Sequence, residues 1–127
     1  MKRKIIVLAA SLILVTAMQC FASIYTRGVA GNVSAVLEEM NRAVLQEDWL
    51  QARSLMEPLS RSWYGACEPM DWWISRSIID EVHSSMRELA IALDVGDYHE
   101  SRVLLDELQD LINDITRRDE LTLSNVV

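Results

Sequence analysis

Asp80, Glu81 and His83 form the polar cluster with the most chemical potential in this 127-residue chain. On a helix Asp80 and His83 would share one face, three residues apart, as in carboxylate-bridged metal bundles. A dinuclear centre needs that motif twice, with two further inward carboxylates. His99 lies just inside a helix cap and does not supply the second copy, so a solvated helix face is the preferred reading. No zinc-protease, phosphate-loop, dinucleotide or nucleophile-elbow motif is present. A hydrolase ranks last, because it needs a catalytic trio that the residues do not assemble. The expectation is no catalytic residue, no metal, no cofactor and no enzyme activity. Cys20 falls in an apolar run, which leaves Cys67 without a partner in the rest of the chain. Two such thiols make neither a disulfide framework nor a zinc site. The aromatic residues offer a ligand cage as a second option. Trp49 and Tyr98 should plug the ends of helical hairpins, and Trp63, Tyr64, Trp72 and Trp73 flank a later connection. Packing is preferred for them, and these four are the candidate contacts with a membrane or a partner.

These residues need elements to carry them. Lys2, Arg3 and Lys4 precede 21 uncharged residues, Ile5–Tyr25, about the ~20 required to cross a hydrocarbon core as a helix. Basic residues on that short flank should stay cytoplasmic, placing the remainder outside. A cleavable signal ending at Cys20-Phe21-Ala22 is the rival, and it would make the protein secreted. The uncleaved anchor is preferred because residues 21–25 remain apolar or weakly polar.

Residues 26–31, with Gly28 and Gly31, read as a hinge, and Asn32 as the cap of a first helix. Val33, Val36, Leu37, Met40 and Val44 follow helical spacing. Asp48 opens a second helix that Pro58 should bend. Gly65–Met70 reads as a connection and Asp71 as the cap of a third helix, which Gly96 stops. Asp97 opens a fourth helix. An offset of 49 residues aligns Val33, Ala43, Asp48, Trp49, Arg53, Leu55 and Leu59 with Val82, Ala92, Asp97, Tyr98, Arg102, Leu104 and Leu108. The expected fold is therefore all-α: a membrane helix, then two αα-hairpins packed as an antiparallel four-helix bundle or as a TPR-like hairpin repeat. The boundaries are an anchor over 1–25, a hinge over 26–31, a bundle over 32–118 and a C-terminal tail over 119–127.

Beyond residue 25 the chain carries nine arginines against nineteen carboxylates. That balance repels phosphate backbones, and no basic stripe interrupts it, so nucleic acid is excluded as a partner. Trp73, then Arg76-Ser77-Ile78-Ile79-Asp80, and the ending Leu121-Thr122-Leu123-Ser124-Asn125-Val126-Val127 carry a family resemblance. The Glu47-Asp48-Trp49 turn, Trp63 and the basic-then-apolar start extend it. On these residues the chain resembles a domain-of-unknown-function family (DUF4363) of small, membrane-anchored helical proteins from Gram-positive bacteria. Arg76 and Ile78 stand where members carry His and Glu, so any chemistry of that pair is missing here. The resemblance implies no activity, and it suggests another membrane protein as partner. The expected role is a non-enzymatic, outward-facing interaction or scaffold module at the cell membrane. The alternative is a small extracytoplasmic sensor or ligand-binding domain that uses the aromatic end.

Overall fold

The computed structural model describes residues 1–126, with side-chain surroundings through Arg117. Among the described residues the chain forms six helical segments and no strand. They are α1 (Lys2–Leu45), α2 (Trp49–Ser54), α3 (Met56–Tyr64), α4 (Cys67–Met70), α5 (Arg76–Val95) and α6 (Tyr98–Val126). Val33, Leu37, Met40 and Val44 turn one stripe of α1 inward, and Val82, Met86, Leu89 and Leu93 do the same on α5. Leu59 and Trp63 of α3 and Leu104, Leu108 and Ile112 of α6 fill the space between. α1 packs on α2, α3 and α6, and α5 packs on α2 and α6. The α1–α6 contact closes the four staves into an antiparallel bundle, with α2 and α3 together forming the second stave.

The hinge expected over 26–31 does not form, and Asn32 caps nothing, because α1 runs unbroken through both. Two mid-helix glycines cost about 1 kcal/mol each against alanine. Packing outweighs that cost, since Thr26, Val29 and Val33 are all buried on the stripe facing the bundle. The folded part also begins earlier than residue 32: residues 1–18 are all exposed, Gln19 and Ala22 are half-buried, and Ser23 is buried. The helix expected from Asp48 is interrupted at Leu55. Pro58 therefore sits in the first turn of α3, where its missing N–H leaves no helical bond unmade.

Asp71 does not cap α5. Its carboxylate instead accepts from Arg76 at 3.2 Å, and α5 starts at Arg76 after Ser75. The connection from Gly65 contains one helical turn, α4. The segment expected as a tail from 119 continues α6 as helix through Val126, so Arg117 and Arg118 lie within the helix rather than at its end.

The 49-residue repeat is clearest at the two tips. Asp48 N donates to Ala43 O at 2.9 Å, and Asp97 N donates to Ala92 O at 3.0 Å. Gln51 N donates to the Asp48 carboxylate at 3.2 Å, and Glu100 N to that of Asp97 at 3.1 Å. The residue before each Asp is left-handed: Glu47 has φ 54° and Gly96 has φ 70°. Both tips are thus the same helix stop followed by the same Asp cap.

Candidate functional site

α1 enters the bundle at the end opposite the two tips, and the expected aromatic residues gather at this base. Tyr25 Oη donates to the Ala66 carbonyl at 2.8 Å. Trp73 Nε1 donates to Thr26 Oγ1 at 2.8 Å. The Tyr25 and Trp73 rings meet edge-to-face at 6.0 Å, and Phe21 stacks on Tyr25 at 6.2 Å. These contacts lash α1 to the connection between α3 and α5. Sequence reasoning placed Tyr25 in the span and Thr26 in a hinge, and so missed both. The available signal was a Tyr-Thr pair closing an apolar run, with hydroxyls that need partners once buried.

The four aromatic candidates divide. Trp63 is 1 % exposed and belongs to the core. Trp73 is half-buried in the lash. Tyr64 is 44 % exposed and Trp72 is 90 % exposed, so only these two of the four present substantial surface.

Asp80 and His83 share α5 but face different neighbours. Asp80 pairs with Arg76 at 3.5 Å. His83 lies 4.7 Å from the Tyr64 ring and edge-on to Trp63 at 6.2 Å. Desolvation against these rings holds the His83 imidazole below its ordinary pKa, with Asp80 opposing. Burial pushes the Cys67 thiol up, and Asp71 adds to that, so it is poorly disposed to act as a thiolate. Among the described residues no three His, Cys, Asp or Glu side chains converge as a metal-binding set.

At the tips one aromatic residue packs as expected and its counterpart does not. Trp49 is half-buried and packs over the opposite turn, where a Cβ added at Gly96 would lie 3.6 Å from its indole. Tyr98, its repeat counterpart, stays at the surface with the Arg102 guanidinium 5.9 Å from its ring centre. The tip half also exposes apolar residues: Leu50 at 75 %, Val95 at 73 % and Ile91 at 65 %. They stand among the exposed Glu47, Asp48, Asp94, Asp97 and Glu100. Ile91 and Val95 fall off the inward stripe of α5, and that leftover spacing was readable from the sequence.

The sequence profile of a family described as "Domain of unknown function (DUF4363)" matches residues 20–126. Its start coincides with the point on α1 where burial begins. No curated protein and no solved structure matches the chain.

Proposed function

From membership of the DUF4363 family, to which this chain belongs, and from the geometry above, we propose a membrane-anchored, outward-facing, non-enzymatic module that holds a partner protein at a set distance from the bilayer. One observation carries this reading: the exposed apolar span and the first stave of the bundle are a single helix, α1. An 18-residue stretch of α1 is apolar enough to cross a membrane, and none of that stretch is buried. Lys2, Arg3 and Lys4 favour a cytoplasmic N-terminus.

A continuous helix transmits orientation as a loop does not. From Thr26 to Leu45 it rises about 28 Å at 1.5 Å per residue. The tips then stand at that height above the base, with Leu50, Ile91 and Val95 available to a partner. Trp72 and Tyr64 lie at the base, where amphipathic rings suit the membrane–water interface.

The test is photo-crosslinking in intact membranes from probes at positions 72 and 97. Adducts with lipid and embedded protein should dominate at 72, and an impermeant reagent applied to intact cells should reach 97. Equal or stronger lipid capture at 97, or reaction at 97 only after lysis, would refute the orientation.

A further inference from the structure

The register of α6 against α1 extends the contact with the membrane beyond the anchor itself. Gln109 Nε2 donates to Ser34 Oγ at 3.0 Å, which sets the two antiparallel helices level at that pair. Lower down, Arg27, Ala30 and Gly31 line one groove with Asn113, Thr116 and Arg117. Both helices rise 1.5 Å per residue, so each step down α1 matches one step along α6. Glu120 therefore lies at the level of Ser23, and Val126 at the level of Ala17.

Two independent features meet at this level. α1 carries no charge between Lys4 and Arg27, and α6 none after Glu120. The two polar boundaries lie four residues apart in level, about 6 Å, although the sequences that set them are remote. Burial along α1 also begins where α6 would end alongside it: residues 1–18 are exposed, and Gln19 is the first to be covered. Phe21 and Ile24, on the same levels, remain 65 % and 72 % exposed, which suits lipid and not water.

We propose that the last turns of α6, residues 121–126, are embedded in the outer leaflet beside α1, so that the bundle enters the bilayer on two helices. This rests on the anchored reading of α1. A helical backbone satisfies its own hydrogen bonds there, and residues 121–126 are uncharged. From Glu120 to Val126 the descent is about 9 Å, within one leaflet of a ~30 Å core. The occupant of this surface is lipid, because the face continues a membrane span across a shared charge boundary.

The experiment uses the full chain with Cys20→Ser and Cys67→Ser, reconstituted in vesicles containing lipids brominated along their acyl chains. A fluorophore is attached to Leu121→Cys, Leu123→Cys, Ile13→Cys or Asp106→Cys in turn. Positions two apart on a helix lie on different faces, so burial against α1 cannot hide both α6 probes. Quenching at 121 or 123 should exceed that at 106 at least about twofold, because only acyl-chain depth brings label and bromine together. Strong quenching at 13 with 121 and 123 both at the level of 106 would overturn the insertion and leave the anchor standing. Absence of quenching at 13 would overturn the anchor first, and the insertion with it.

Discussion

The two tips offer a controlled comparison, because one geometry is built with Gly96 and the other with Glu47. A left-handed residue with a Cβ costs roughly 1–2 kcal/mol. In Gly96→Ala the new Cβ would meet the Trp49 indole at 3.6 Å, an ordinary contact, so backbone strain is the main penalty. Lower unfolded-state entropy returns roughly 0.4–1 kcal/mol. The net expectation is a loss of about 1 kcal/mol. Glu47→Gly runs the same terms in reverse and should gain a few tenths to about 1 kcal/mol. For a domain of this size, 1 kcal/mol moves Tm by about 4–8 °C. Thermal unfolding of the full chain in mild detergent, followed by circular dichroism, should lower Tm for Gly96→Ala and raise it for Glu47→Gly. The double variant should come close to the parent. If Glu47→Gly destabilises as much as Gly96→Ala, the two tips are not equivalent and the reasoning fails.

Trp73→Phe removes the donor to Thr26 Oγ1 in the base lash, and should cost about 1–2 kcal/mol, most of it as a lost hydrogen bond to a buried hydroxyl. Amide exchange should accelerate first in α4 and at the start of α5; unchanged protection there would show that the lash holds nothing. His83 gives a pH signature: its pKa is lowered in the fold, so below the ordinary value of 6.5 the unfolded chain takes up a proton that the folded chain resists. Stability should therefore be full above that value and decline as pH falls towards the folded pKa. His83→Gln should flatten this part of the urea-unfolding profile, and an unaltered slope would assign it to other groups.

The helical stripes and both Asp caps were legible because each is a local rule: spacing of apolar residues, or an Asp with Gln or Glu three residues on, as in Asp48–Gln51 and Asp97–Glu100. The hinge and the Asp71 cap were misread for the same reason. Gly28 and Gly31 are weak helix formers, but the deciding energy is the burial of Thr26, Val29 and Val33, which depends on α6 lying alongside. Asp71 has a capping side chain, yet Arg76, five residues on, competes for it. The aromatic base was legible as a group but not in its division. Nothing in the sequence distinguishes Trp72, almost wholly exposed, from Trp73, which finds Thr26 47 residues away.

Charge along the bundle axis agrees with an embedded base. An excess of carboxylates repels an anionic membrane surface, and such a domain would rather stand off than settle. Glu81, Glu88, Glu107, Asp110 and Asp114 line the groove between α5 and α6, which keeps much of that charge on the wall of the bundle. Arginine appears where the two helices reach the proposed boundary: Arg27 on α1, and Arg117 and Arg118 on α6. Arg117 is exposed and pairs with Asp114 only at 3.8 Å, a contact worth little in water. At a headgroup layer, the long side chain of Arg117 can reach phosphate while its stem covers apolar surface. Along α6 the order is carboxylates on the wall, then Arg117, Arg118, Asp119 and Glu120, and uncharged residues beyond them. α1 passes from Glu38 down through Arg27 directly to uncharged residues from Thr26 onward. Two helices running in opposite chain directions thus lose their last charges about one turn apart in height. An even solvated surface does not require that coincidence, whereas a fixed bilayer height does.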